Sequence, residues 1–298
     1  MTISNQTRLL LLASSLLLLG GGLLWALRSG EEPPFELLAP PRVDLRGRAV
    51  EAVDGDTLEV SLEGRLERVR LLLVDAPETR GPRGRPEELS LEAKAFLARA
   101  AVGKEVLLEL DAVSRDRYGR LLAHLYVQAE GGFVNLGLEL VRRGLAQLMV
   151  IRPNARHLEA FLEAQREAKS EERGLWRLCR RRIFLSRDLA SNSPYLVGRF
   201  VGVVLRAFKA RGSGDGLLLE DEESPLLVRI HLEAFGDALR GLISPGPQGK
   251  LLAMGKLGVD RSGRPRIEVS SPLQLETDIP SSALRKRSTS SSLATATR

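Results

Sequence analysis

Between residues 46 and 74 three short segments, 46–53, 58–62 and 67–74, alternate or run apolar with only turn residues between them. Segments of that length and period read as strands of a meander, with one hairpin marked by Gly64. The pattern then changes. Residues 92–101 have helical composition ending at Gly103, and residues 105–110 and 121–127 return to strand patterns around a turn at Tyr118-Gly119. A short helix is expected after Asn135. A longer one over 154–173 carries Leu158, Phe161, Leu162, Gln165 and Ala168 on one side, with Gly174 as its stop. Strands first and helices after predict a mainly β, α+β domain in which helices pack on a small β-barrel.

A chain of 298 residues exceeds the roughly 100–200 residues of one domain, so a second folded unit is expected. Strand-like stretches at 197–207, 216–220, 226–232, 250–259 and 266–269, with a helical stretch at 233–242, match the element count of a five-stranded OB-type barrel over 196–276. Between the units, residues 173–187 carry six arginines and Cys179. They read as a basic connector, at its core 179–195, that either lies along phosphates or forms a solvated hinge. The tail, 277–298, is rich in Ser, Thr and Ala and is expected to be disordered. At the other end, residues 9–27 form an uncharged, leucine-rich run between Arg8 and Arg28, close to the ~20 residues of a membrane-spanning helix. No small-x-small cleavage signal follows, so residues 1–30 read as a transmembrane anchor rather than a signal peptide. A proline-rich linker, 31–42, leads to the first domain, 43–178. The expected location is membrane-anchored or secreted, with that domain outside the cytoplasm, and the expected state is monomeric.

Lys and Arg number 44 against 38 Asp and Glu, a net charge of +6 that suits a polyanionic partner such as nucleic acid or an anionic membrane. The single cysteine excludes an intramolecular disulfide and any cysteine-cluster zinc site, and the three histidines are scattered. Any metal must therefore rest on carboxylates. Three stretches supply them: Val53-Asp54-Gly55-Asp56-Thr57, then 70–79 (RLLLVDAPET), then Asp116-Arg117-Tyr118-Gly119-Arg120. Asp56 at a turn and Asp75 at a strand end offer hard oxygen ligands for Ca²⁺. Arg70 and Arg120 offer planar forks for phosphate oxygens. Glu78, just past Pro77, is placed to accept a proton from an attacking water. Taken singly, each piece also reads as an ordinary hairpin, a solvated edge or a charged turn. Together, mostly at strand ends, they supply what a phosphoryl-transfer site requires.

These stretches, with 141–146 (VRRGLA) and Gly174-Leu175-Trp176, resemble the staphylococcal nuclease (thermonuclease) family over roughly residues 43–176. The resemblance implies an OB-type barrel with three helices and Ca²⁺-dependent hydrolysis of DNA and/or RNA to 3′-phosphorylated products. It implies Asp56, Asp75 and the carbonyl of Ala76 as metal ligands, Asp54 as holder of a metal-bound water, and Arg70, Glu78 and Arg120 as catalytic residues. Arg117 and Tyr118 take the positions that contact substrate phosphate. The chain departs from the family where two tyrosines of a base pocket are replaced by Leu148-Met149-Val150-Ile151. Loop 80–89, with Arg80, Arg83 and Arg85, is either substrate-facing or merely solvated. The second barrel resembles modules that bind single-stranded nucleic acid, with Arg199, Arg206, Lys209, Arg211, Lys256, Arg261, Arg264 and Arg266 as charge, and Phe200, Phe208 and Phe235 either stacking or in the core. Such a module is expected to add substrate affinity and leave cleavage to the first barrel. The competing expectation is a non-catalytic nucleic-acid-binding protein on a nuclease-like barrel. His124 reads as a packed histidine, and Cys179 as unreactive.

Overall fold

The computed structural model describes residues 34–81, 84–189, 193–213, 216–231, 235, 250–277 and 279. The anchor run at 9–27, most of the helical stretch at 233–242, Arg83 and nearly all of the tail lie outside the described residues. Among the described residues no helix is long and apolar enough to cross a membrane. The chain divides into one unit ending at Glu36 and another, the folded body, from Leu37 onward.

The meander forms as the alternation predicts: β1 (Leu45–Asp54), β2 (Thr57–Leu62) and β3 (Arg65–Leu71) pair antiparallel in succession. After a two-residue strand β4 (Val74–Asp75) and helix α1 (Ser90–Ala101) come β5 (Glu105–Arg115) and β6 (Leu121–Ala129). The sheet order is β3-β2-β1-β5-β6, and a parallel pairing of β3 with β6, Val69 opposite Leu121, closes five strands into a barrel. A sixth strand, β7 (Gly132–Asn135), adds to the edge of β6. Leu58, Val60, Val69, Leu108, Ala123 and Leu125 face inward and are fully buried. Helix α1 covers this core with Ala93, Phe96, Leu97 and Ala101.

Helix α2 (Leu136–Arg142) starts where expected, because the Asn135 side chain accepts the Leu138 N–H at 3.0 Å and so satisfies an otherwise orphaned donor. The next segment pairs back: β8 (Gln147–Leu148) lies antiparallel to β4. Helix α3 (Leu158–Ser170) is shorter than the expected 154–173. Its late start has a polar cause, since the Asn154 side chain bonds both the N–H and the carbonyl of Val113 at 2.8 Å and holds that residue on β5 instead. A fourth helix, α4 (Leu175–Arg181), follows Gly174 at once and was not anticipated. Gly174 (φ +47°) and Gly144 (φ +65°) touch: a Cβ on Gly174 would stand 2.2 Å from the Gly144 carbonyl oxygen. The VRRGLA segment and the start of α4 therefore meet backbone to backbone, an approach that side chains forbid.

The expected basic connector is part of the folded body. Trp176 and Cys179 of α4 are fully buried, and β9 (Ile183–Leu185) runs parallel to the first strand of the second barrel. Two short helices, α5 (Ser186–Leu189) and α6 (Ser193–Leu196), lead to β10 (Phe200–Leu205) and β11 (Phe208–Ser213), then to β12 (Gly216–Asp221) and β13 (Leu227–His231). After β14 (Leu251–Val259) and β15 (Pro265–Val269), a 3₁₀ turn at Pro272–Gln274 precedes β16 (Leu275–Glu276). The strand order is β11-β12-β13-β15-β14-β10-β9, with β13 and β15 parallel and β16 added on β14. Only Arg206 and Ala207 separate β10, which pairs with β14, from β11, which pairs with β12, so the two count together as one first strand. The resulting order, first-second-third-fifth-fourth-first with the third and fifth parallel, is the order of the first barrel. The OB strand order is thus present twice, with β9 and β16 as additions to the second.

The two barrels share a core. Ala168, Leu175, Trp176 and Cys179 pack with Phe200, Val204, Leu252 and Met254. Buried polar groups are matched across the same junction: Gln165 accepts the Leu148 N–H at 2.9 Å and donates to the Ser271 hydroxyl at 2.7 Å, and the Ser270 hydroxyl donates to the Leu148 carbonyl at 2.6 Å. Matched in this way, buried polar groups fix one arrangement rather than cost stability.

Candidate active site

The turn between β1 and β2 sets the site. Gly55 follows Asp54, and a Cβ there would lie 2.8 Å from the Cβ atoms of both Ala76 and Ala93. With no side chain at Gly55, the turn seats directly on the Ala76 backbone. Asp56, 6% exposed, then accepts the Ala76 N–H at 3.0 Å through Oδ2 and the Thr57 hydroxyl at 2.9 Å through Oδ1. Asp54 Oδ1 accepts the N–H groups of Gly55 at 2.8 Å and Thr79 at 3.2 Å. Two acidic side chains of one hairpin thereby grip both ends of the segment 76–79.

Arg70 is the counter-charge. Its Nη2 lies 3.1 Å from Asp56 Oδ2 and 3.8 Å from Asp75 Oδ1, while Nη1 donates to the carbonyls of Leu71 at 3.1 Å and Val74 at 2.7 Å. The same guanidinium therefore braces the β3–β4 turn and neutralises two carboxylates. Burial pushes the Asp75 carboxyl above its ordinary range, with the charges of Asp56 and Glu87 adding to that, against the opposite pull of Lys256 and Arg70. Glu78 is pushed up to about 7, first by burial of its carboxyl, then by hydrogen bonding with Asp54 and the charges of Asp54 and Asp56. A carboxyl that shares its protons near neutrality suits a general base.

Arg120 arrives from the other side of the barrel closure. It directly precedes Leu121, the partner of Val69 in the parallel β3–β6 pair, so it stands beside the strand that carries Arg70. Asp116 accepts the Arg120 Nε at 2.7 Å and the Arg120 and Tyr118 N–H groups at 2.9 Å each. The tight turn thus holds the guanidinium while leaving it solvent-accessible. Arg117 donates to the Tyr118 hydroxyl at 2.6 Å and lies over its ring. An open cleft of about 700 Å³ is lined by Glu59, Arg68, Glu78, Tyr118 and Arg120. The structure gathers Asp54, Asp56, Arg70, Asp75, Ala76 and Glu78 at one barrel edge, and brings Arg120 and Tyr118 to the cleft that Glu78 enters.

Asp56 and Asp75 both lie beside Arg70, at 3.1 and 3.8 Å from its Nη2. Among the described residues no three His, Cys, Asp or Glu side chains converge as a full ligand set. A metal held here rests on two carboxylates and completes its shell from backbone oxygen and water, which hard, oxygen-binding cations accept.

Two residues join this site that the sequence did not place in it. Glu87 Oε2 accepts the Glu78 N–H at 2.8 Å, and the Glu87 N–H donates to the Glu78 carbonyl at 3.0 Å. Lys256, on β14 of the second barrel, donates to that same Glu87 Oε2 at 2.6 Å. Nothing in local spacing could announce a contact between residues so far apart in sequence. Elsewhere in the second barrel Arg199, Arg206 and Arg261 stay exposed, whereas other candidates for nucleic-acid binding turn inward or pair. Phe200 is core, Phe208 and Phe235 pack against core residues, and Lys209, Arg211 and Arg266 form ion pairs with Glu222, Glu220 and Glu268. In place of the tyrosines, Leu148 and Val150 are buried and Leu148 is capped by Ser270, so this stretch seats the second barrel. His124 is buried with neither ring nitrogen bonded, and burial and His157 push it down to about 4, keeping it neutral.

Comparison with known proteins matches the geometry. The profile of staphylococcal nuclease homologues matches residues 68–178, a span that holds Arg70, Asp75, Glu78 and Arg120 and begins just after Asp54 and Asp56. A thermonuclease of Staphylococcus hyicus is 32% identical over 129 residues, 43% of this chain and 74% of the relative. Two proteins of Bacillus subtilis, the endonuclease YncB and the SPbeta prophage-derived endonuclease YokF, are each 35% identical over 127 residues, or 42% of this chain. Those matches span 58% of YncB and 42% of YokF. With its first barrel closed as an OB-type ring, its acidic turn braced by one arginine and this extent of likeness, the chain belongs to the staphylococcal nuclease family and is a nuclease hydrolase.

Proposed function

We propose that the protein is a Ca²⁺-dependent nuclease that hydrolyses phosphodiester bonds of DNA and/or RNA and leaves 3′-phosphorylated products. The observation that carries this reading is the convergence of Asp56, Asp75 and Arg70 at the barrel edge, with Glu78 raised to about 7 beside them. Asp56, Asp75 and the Ala76 carbonyl would hold Ca²⁺, which would supply positive charge to offset charge developing on the phosphoryl oxygens. Asp54 orients the turn and a water beside that site. Glu78 takes a proton from the attacking water, and Arg120, with Arg117 and Tyr118 at the mouth, binds phosphate oxygens that gain charge in the transition state. The same proposal places the catalytic barrel outside the cytoplasm, tethered by residues 9–27, as a monomer.

The test is cleavage of single-stranded DNA, duplex DNA and RNA with Ca²⁺ or with chelator. Arg120→Ala and Glu78→Ala are expected to lower kcat by about 10²–10⁴-fold, and chelation to abolish cleavage. Metal-independent cleavage, or full activity in both variants, would remove the catalytic assignment. Binding without cleavage would identify a nucleic-acid-binding protein on a nuclease-like barrel.

A further inference from the structure

Among the described residues, the second barrel meets the nuclease site through hydrogen bonds at Glu87 and Glu88. Glu88 Oε2 accepts Arg182 Nη1 at 2.6 Å and the Phe200 N–H at 3.3 Å, and the Glu88 N–H points to the Gly198 carbonyl at 3.4 Å. One residue earlier, Glu87 is clasped to both the N–H and the carbonyl of Glu78 and is ion-paired to Lys256 with its side chain only 5% exposed. We propose that Lys256, contributed by the second barrel, is a positioning residue of the nuclease site, holding Glu78 in place through Glu87. The second barrel is thereby a structural part of the catalytic centre rather than an affinity module alone.

Three features support this. The link is short and direct, running Lys256 Nζ to Glu87 Oε2 to Glu78 N, at 2.6 and 2.8 Å. It is charge-assisted, and its Glu87 end is shielded from water, where such bonds are strongest. It is also rigidly backed, because Lys256 sits mid-strand on β14 opposite Phe200 of β10, and strands hold side chains more firmly than loops do. Burial, the largest influence on Lys256, pulls its pKa down, but the charges of Asp75, Glu87 and Glu78 outweigh it and keep the ammonium protonated.

This inference rests on the nuclease reading, and the experiment separates the two. In the full chain with Ca²⁺, Lys256→Met and Glu87→Ala are each expected to lower kcat about 10–100-fold, the usual cost of losing a partner that orients a catalytic ligand, with KM changed less than threefold. Lys256→Arg, which keeps charge and a donor, should recover most of the loss. The double variant should fall no further than the worse single one, because both break the same link. Lys169→Met, which removes another ion pair across the junction, with Glu276, should keep kcat within about twofold, because Arg180 still neutralises Glu276 and the link touches no residue of the site. Wild-type kcat in Lys256→Met, additive losses in the double variant, or an equal loss in Lys169→Met would overturn the proposal. Should wild type itself fail to cleave, the nuclease reading falls alone, and hydrogen exchange at the Glu78 amide decides the positioning role. Faster exchange in Lys256→Met supports it, and unchanged exchange overturns it.

Discussion

The two arginines that sequence placed together differ in what they do. Arg70 spends both ends of its guanidinium on internal partners, whereas Arg120 is held by Asp116 and remains open to the cleft. Removing Arg70 leaves the buried Asp56 without its ion-pair partner, which is far costlier than losing a surface charge. Arg70→Ala is therefore expected to lower both melting temperature and activity, and Arg120→Ala to lower activity with little change in melting temperature. Equal thermal shifts would contradict this division. Glu78 carries a second expectation. Its pKa rises from 4.5 unfolded to about 7 folded, so between those values the unfolded chain has released a proton that the folded chain still holds. Stability of the metal-free protein should fall as pH rises through that window, softened by solvent because the side chain is only partly buried. Glu139, also pushed up to about 7 by burial, adds to the same fall. Glu78→Gln should flatten part of the slope in chelator, and an identical slope would show that Glu78 titrates normally.

At the scale of elements, the turn at Asp54-Gly55-Asp56 converts a hairpin into a ligand platform by seating against Ala76 and α1. Gly55→Ala places a methyl 2.8 Å from two others, so at least one element must shift. Loss of most cleavage activity, with a melting temperature lowered by several degrees, is expected from thermal unfolding and kinetics on this variant. Retained activity would show that the turn relaxes freely. This part of the protein was readable in advance, because alternation exposes half-buried strands and the carboxylates lie within 25 residues of the residues they bond. Asn135 as a helix cap was readable for the same local reason. The stretch 173–187 was misread because its arginines suggest solvent, whereas Leu175, Trp176 and Cys179 form the buried face of α4 and Ile183–Leu185 is a strand. Their apolar spacing was the signal, masked by long side chains whose charges pair with Glu276 and Glu88. Lys256 and Glu87 had no local signal at all.

For the whole molecule, the shared core around Trp176 and the matched polar contacts of Gln165, Ser270 and Ser271 tie the barrels into one body. Calorimetry of the full chain is expected to show one cooperative transition for both barrels, and two well-separated transitions would mean that the junction is weak. The shared strand order was not visible as a sequence repeat, because barrel closure depends on pairing order rather than on residue identity. The link from Glu87 to Lys256 also bears on synthesis. Glu87 emerges from the ribosome 169 residues before its partner, which at about 5–20 residues per second is a delay of roughly 10–30 s. Once Ala129, the end of β6, has emerged, the strands of the first barrel are complete in sequence while the clasp on Glu78 still waits for Lys256. If Lys256 positions Glu78 as proposed, a nascent chain reaches its full cutting power only once the second barrel has been made.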